Sequence, residues 1–177
     1  QMVDQLTKED LHNQIQAVEA MLTDAQNDMR VLLLHLRPTE LENKTLQEGL
    51  QMILKELTDK SNIRVIYKDM VKKVPKRIEN NLFRIAQEFI SNTLKHAKAS
   101  QIEVYLYQNS QEIQLKMLDN GVGYDLNAST DEMSYGLKNI QERVDEMAGT
   151  VQFLSAKGKG TSIDVRVPIL RGENNVE

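Results

Sequence analysis

The run Ile113-Gln114-Leu115-Lys116-Met117-Leu118-Asp119-Asn120-Gly121-Val122-Gly123 decides the fold of this chain. Its alternation has the period of a β-strand with one face in a core, and Ile113, Leu115, Met117 and Asp119 share that face. A carboxylate aimed at a core must be paired or must accept hydrogen bonds from something bound. The strand then breaks into Asp119-Asn120-Gly121-Val122-Gly123, where glycine permits positive φ and a close approach of backbone to a ligand. A D-x-G-x-G step by itself is equally a structural turn.

Upstream, Ile102, Val104 and Leu106 alternate in the same way over 102–107, and the polar turn at Asn109-Ser110 joins the two strands as a hairpin. Downstream, Thr161, Ile163, Val165, Val167 and Ile169 share one face of a strand over 161–169, which points Thr161 inward just after Gly158-Lys159-Gly160. Shorter strands are expected at Val151 to Leu154 and Ile63 to Tyr67. Helices are expected from Leu41 to Lys60, from Pro75 to about Lys98, and from Leu137 through Met147, the last ended by Gly149. The segment from Gly121 to Tyr135 reads as a polar loop, and the tail from Arg171 as disordered. This order predicts an α+β chain whose helices cover one face of a mixed, mostly antiparallel sheet.

Ahead of that unit, Leu11, Ile15, Val18, Leu22, Ala25, Met29, Leu32 and Leu36 follow alternate spacings of four and three, the a/d seam of a helical bundle. A single amphipathic helix lying on its own domain is the alternative. The narrow, regular stripe favours the bundle over the broader stripe of a core-facing helix. Arg37-Pro38 is expected to end it.

The composition bounds what such a chain can do. With 177 residues, 40% of them hydrophobic and 27% charged, it has room for one core or two small ones. A net charge of −4 gives no general attraction to nucleic acid, so any phosphate ligand must be held locally. The absence of cysteine excludes disulfides and thiolate chemistry and makes the cytosol the default expectation. No run of eighteen or more apolar residues is present. The chain opens at Gln1 inside sequence that is already helical in character, and reads as a piece of something longer.

Several residues could carry chemistry. On the helix from Pro75, Glu88, Asn92 and His96 lie four apart and climb from the polar face to the rim of the apolar one, as a pocket wall would or as a solvated face with one satisfied histidine would. An inward Asp119 and an inward Thr161 can line one small polar hole in an apolar wall. Such a hole suits a planar group with an exocyclic donor, as adenine has, and a charge-assisted bond to the carboxylate is worth roughly 1.5–3 kcal/mol. Ser134-Tyr135-Gly136-Leu137 places a glycine at an expected helix N-terminus, where N–H groups and the dipole would hold phosphates. A glycine at a helix start with no ligand is the alternative there.

In order, Glu88…Asn92…Lys95-His96, then Asp119-Asn120-Gly121-Val122-Gly123, then Tyr135-Gly136-Leu137, then Gly158-Lys159-Gly160-Thr161 resemble the four boxes of the Bergerat-type ATP-binding domain shared by histidine kinases, Hsp90, gyrase and MutL. The tyrosine-glycine-leucine step, together with Ala25 to Arg30 and Leu34-His35-Leu36-Arg37-Pro38, is similar to the cell-envelope-stress sensor kinases related to LiaS and VraS, which partner NarL-type response regulators. The resemblance implies a catalytic ATP-binding domain over 39–170, preceded at 1–38 by the second helix of a dimerisation region and followed by the tail 171–177. It implies ATP and Mg²⁺ as ligands. Asn92 would coordinate the metal, with Lys95 and His96 near the phosphates. Asp119 would take the adenine amino group. Gly121 and Gly123 would shape the nucleotide floor, Gly136 would hinge a lid spanning about Tyr124 to Tyr135, Tyr135, Gly136 and Leu137 would bind the nucleotide, and Gly158, Gly160 and Thr161 would close the adenine side. Glu88 matches the water-activating position of the related ATPases. A homodimer through the Leu11–Leu36 seam and a cytoplasmic position in a membrane-anchored bacterial sensor are implied likewise.

Two other functions remain open, a stand-alone Bergerat ATPase or anti-sigma-type serine kinase, and a non-catalytic dimerisation module that binds nucleotide. One departure from the family pattern matters. The phosphorylated histidine is expected on a first dimerisation helix and next to an acid. Asp10-Leu11-His12-Asn13 is superficially similar, but Asn13 replaces the acid and the seam runs through His12 without a break. The chain is therefore expected to lack its phosphoacceptor and not to autophosphorylate.

Overall fold

A computed structural model describes residues 8–35, 44–126 and 131–169. The elements are α1 (Lys8–His35), α2 (Leu46–Lys60), β1 (Arg64–Met70), α3 (Lys76–Asn92) continued by a π turn (Thr93–Ala97), β2 (Gln101–Gln108), β3 (Glu112–Asp119), α4 (Asp131–Glu146), β4 (Thr150–Ser155) and β5 (Thr161–Pro168). The Arg37-Pro38 helix stop and the polar tail from Arg171 lie outside the described residues.

The five strands form one sheet in the order β1-β2-β3-β5-β4. β1 and β2 are parallel, joined through α3, and the other pairs are antiparallel. Ile102, Val104 and Leu106 of β2, Ile113, Leu115 and Met117 of β3, and Ile163, Val165 and Val167 of β5 turn one way and are buried. They meet Leu50 and Leu54 of α2, Ile78, Leu82, Ile85 and Phe89 of α3, and Ile140 and Val144 of α4 in one apolar layer. Burying each such aliphatic chain stabilises the fold by about 1.5–3 kcal/mol before entropy is counted. The α+β order, with helices over one face of a mixed sheet, is as the alternation implied.

Local chemistry explains the ends. Thr45 caps α2 in a reciprocal box: its hydroxyl accepts the Glu48 N–H at 3.3 Å, and its own N–H donates to the Glu48 carboxylate at 2.8 Å. The Asn109 carboxamide oxygen accepts the N–H groups of Gln111 and Glu112 at 2.7 and 2.9 Å, which closes the β2–β3 hairpin where the polar turn was expected. Buried Glu79 of α3 accepts the Leu46 N–H at 3.1 Å and pairs with Lys76 at 2.9 Å. Lys76 in turn donates to the Lys44 carbonyl at 2.8 Å, so the start of α2 is tied to α3.

Three boundaries differ from the sequence expectation. The helix expected from Leu137 begins at Asp131, which takes the end of the expected polar loop, Asp131 to Tyr135, into α4. The last turn of the helix expected to reach Lys98 is a π turn, closed by Lys98 in the left-handed region. At the end of α4 it is Ala148, at φ 53°, that takes the left-handed conformation. Gly149 instead donates to the Val144 carbonyl at 3.0 Å and lies against the Arg166 carbonyl of β5.

Helix α1 is continuous from Lys8 to His35. Leu11, Ile15, Val18 and Met29 of its seam are exposed, and Leu22 is 59% exposed. Among the described residues, no helix is long and apolar enough to cross a membrane.

Candidate functional site

Strand pairing builds the floor. Asp119, the last residue of β3, is paired with Thr161, the first of β5, and both face the helical layer. Asp119 is only 8% exposed. Its carboxylate accepts the Gly121 N–H at 2.8 Å, the tight turn that the sequence required after an inward acid. The backbone and hydroxyl of Thr161 and the hydroxyl of Thr93 also donate toward it. Burial nevertheless dominates and pushes the Asp119 carboxyl above its ordinary value. The tyrosine hydroxyl of Tyr124 is raised too, by burial and then by the neighbouring Asp119 charge.

Two loops lock together below that floor. The Val122 N–H donates to the Ala97 carbonyl at 2.8 Å, and the Gly158 N–H donates to the Val122 carbonyl at 2.6 Å. Gly123 stands at φ 58°, and a β-carbon there would run into the carbonyls of Ala156 and Gly160. The Tyr124 N–H donates to the Ser155 hydroxyl at 2.9 Å, and that hydroxyl reaches the Gly160 carbonyl and the Thr161 hydroxyl at 3.1 Å each. The carboxamide oxygen of Asn120 accepts from Ser100 and Gln101 at 2.9 Å, which ties the turn to the start of β2.

The walls are α3 with its π turn on one side and α4 on the other. Between them opens a cleft lined by Phe89, Asn92, Thr93, His96, Asp119, Gly123, Tyr124, Leu137, Ile140 and Thr161 among others. Its lining is largely apolar with few convergent polar groups, the character of a small-molecule site. Of the residues singled out in the sequence, it gathers Asn92, His96, Asp119, Gly123, Leu137 and Thr161. Gly121, Gly158 and Gly160 support it from the locked loops. Glu88 sits one turn before Asn92 on α3, and the Asn92 amide nitrogen donates to it at 3.3 Å.

Lys95 is exposed on the π turn outside the lining, and Tyr135 stands 68% exposed on α4. The expected helix start at Gly136 is corrected. With α4 beginning at Asp131, the N–H groups of Tyr135 and Gly136 fall beyond the first four free donors of the helix and are not open to a phosphate. Gly136 is no hinge in a loop here but a buried residue in the second turn of α4. A β-carbon there would stand 2.5 Å from Glu88 Oε1 and 3.3 Å from Asn92 Nδ2.

Sequence reading missed Thr93, Tyr124 and Ser155 as site residues. Thr93 shares the helical face of Phe89 and Ala97, a signal present in the spacing. Ser155 is placed opposite Thr161 by the β4–β5 pairing, which the short glycine turn between them could have revealed.

Among the described residues, no cluster of three or more His, Cys, Asp or Glu could hold a metal ion. A hard divalent cation here would therefore rest on one protein oxygen and the ligand's own oxygens, the usual manner of Mg²⁺ with polyphosphates. Asn92 suits this, since its nitrogen is committed to Glu88 and its oxygen is left for such a bond.

Residues 77–171 match the family described as histidine kinase-, DNA gyrase B- and HSP90-like ATPase. The chain is 43% identical over 163 residues to the sensor histidine kinase LiaS of Bacillus subtilis, covering 90% of this chain and 45% of that one. It is 40% identical over 170 residues to the sensor protein VraS of Staphylococcus saprophyticus, covering 96% of this chain and 49% of that one. The chain thus spans less than half the length of these curated relatives. Among solved structures, it superposes on the histidine kinase domain of the Erythrobacter litoralis blue-light-activated kinase with a TM-score of 0.60 at 15% identity, covering 97% of this chain and 88% of that one. Acinetobacter baumannii AdeS gives 0.54 at 15%, with 93% and 85% covered. At such identities the likeness is one of fold.

Proposed function

The chain belongs to the family of histidine kinase-, DNA gyrase B- and HSP90-like ATPases, and we propose that it is the ATP-binding catalytic portion of a two-component sensor histidine kinase. The observation that carries this reading is the buried Asp119 carboxylate at the floor of the cleft, facing an apolar slot and paired with Thr161. An adenine ring fits the slot, its amino group donating to Asp119, while Phe89, Leu137 and Ile140 exclude water from its faces. The triphosphate leaves the slot toward Asn92 and His96. Mg²⁺, when bound, supplies charge neutralisation on the transferring phosphoryl group. Asn92 would hold it through the amide oxygen.

On this reading the chain positions ATP so that its γ-phosphoryl passes to a histidine and thence to a response-regulator aspartate, with positioning and charge stabilisation doing most of the catalysis. The histidine lies outside these residues. His12 is exposed on the unbroken α1, with its ring nitrogen 3.0 Å from the Gln16 side chain. On this reading residues 1–38 belong to the dimerisation region, with α1 as one of its helices, and 39–170 to the catalytic domain. The exposed seam of α1 supports a homodimer in the parent protein, and similarity to LiaS and VraS supports a NarL-type regulator, a cell-envelope-stress signal and a membrane-anchored parent with this part in the cytoplasm.

Calorimetric titration with ATP and Mg²⁺ tests the nucleotide site, and no binding by the native chain would sink it. Mass spectrometry after incubation with Mg²⁺ and ATP is expected to find no phosphohistidine on His12. Phosphotransfer from the chain joined to its upstream segment, assayed on candidate regulators, tests the kinase assignment.

A further inference from the structure

We propose that Glu88 is a positioning residue: its carboxylate pins the Asn92 amide so that the amide oxygen serves the metal, and Gly136 is required because only a glycine lets α4 close over that pair. The inference rests on the nucleotide reading of the cleft. It assigns Glu88 a task other than activating water.

Glu88 and Asn92 lie one helical turn apart on α3, both half-buried. The Asn92 Nδ2 donates to Glu88 Oε1 at 3.3 Å, and neither side chain makes another hydrogen bond among the described residues. A carboxamide has two nearly equivalent ends, and a carboxylate is an acceptor only. Facing Glu88, the amide must present its nitrogen, since its oxygen would meet a second acceptor. The pairing therefore decides which end is left over, and an oxygen is the end a hard cation needs.

α4 crosses α3 directly over this bond. The β-carbon absent from Gly136 would lie 2.5 Å from Glu88 Oε1, 3.5 Å from Glu88 Cδ and 3.3 Å from Asn92 Nδ2. Gly136 is buried in the contact. A group that takes a proton from an attacking water must face the site where that water would stand. Glu88 is not among the residues that line the cleft, and its Oε1 is engaged by the Asn92 amide and lies against the α4 backbone. A methyl group at Gly136 would strike the free end of a flexible side chain, so the helices can stay packed while Glu88 swings away from Asn92.

The test titrates this chain with ATP, once with Mg²⁺ and once with EDTA, for four proteins. Native chain is expected to bind more tightly with Mg²⁺. Glu88→Gln can still accept the same bond through its carbonyl but can also turn its NH₂ toward Asn92, so its Mg²⁺-dependent tightening is expected to fall only part of the way toward that of Glu88→Ala, by roughly two- to threefold. Glu88→Ala and Gly136→Ala are each expected to lose roughly tenfold of that tightening, the usual cost of removing a partner that orients a metal ligand. Their affinity in EDTA is expected to stay within about twofold, with the melting temperature of Gly136→Ala not lowered.

Native Mg²⁺ dependence in Glu88→Ala would overturn the proposal. So would Glu88→Gln binding normally while its ATP hydrolysis falls about a hundredfold, because Glu88 would then be the base. No ATP binding by the native chain in either buffer would overturn the nucleotide reading itself, and with it this inference.

Discussion

Asp119 and Thr161 are direct partners across β3 and β5, one ending its strand and the other opening its own, and both turn toward the helices. The pairing sets a carboxylate and a hydroxyl side by side in an otherwise apolar slot. Asp119→Asn keeps an acceptor for the Gly121 N–H but loses the charge. ATP affinity is expected to fall about 10- to 100-fold, the worth of a charge-assisted bond, while circular dichroism shows an unchanged fold. Unaltered affinity by calorimetry would exclude adenine from this position.

The raised Asp119 carboxyl makes opposite predictions for stability and for binding. The folded chain holds this proton more tightly than the unfolded one. The stabilisation from Asp119 is therefore full below the ordinary value of 3.8 and is lost as pH rises through the raised native value. At neutral pH the buried charge is a cost, so Asp119→Asn is expected to melt higher than native there, and the gap should close on acidification. ATP binding needs the charged form and is expected to weaken as pH falls through the same range, less so in the Asn variant. A melting gap that widens in acid would contradict the sign.

Gly123→Ala places a β-carbon against two carbonyls at a left-handed position. A destabilisation of at least about 1–2 kcal/mol is expected from backbone strain alone, read from urea unfolding, together with weakened ATP binding because the two glycine loops part.

Glu79→Ala removes the acceptor for the Leu46 N–H and the partner of Lys76, far along α3 from the cleft. The expected cost is about 1–3 kcal/mol for a buried donor left unpaired. ATP affinity is expected to be unchanged, which calorimetry alongside denaturation would check.

Leu22→Asp puts a charge in the exposed α1 seam. Sedimentation is expected to show any dimer of this chain shifting to monomer, with nucleotide binding within about twofold of native. A dimer that survives the change would place the interface elsewhere.

Where a residue's role follows from period or local bonding, sequence reading succeeded. The inward direction of Asp119 and Thr161 follows from the two-residue period of a strand, and the Asn109 turn from a side chain that bonds its own backbone. It failed where neighbours in space decide. α4 starts earlier than the apolar spacing from Leu137 suggests, because a glycine, Gly136, stands where the helix packs on Glu88 and Asn92 of α3 and interrupts the stripe. The π turn at Thr93–Ala97 has no local signature; its end presents the Ala97 carbonyl to the Val122 N–H, a partner distant in the chain.

By itself, then, the sequence determined the strand faces, the order of elements and part of the cleft, Asn92, His96, Asp119, Gly123, Leu137 and Thr161 among its residues, because periodicity and glycine turns are local properties of the chain. Only the tertiary structure decided that α4 covers Glu88 and Asn92 and that the two glycine loops lock to each other. Those contacts depend on a missing β-carbon and a shared carbonyl, and neither has a meaning until the two elements lie against one another.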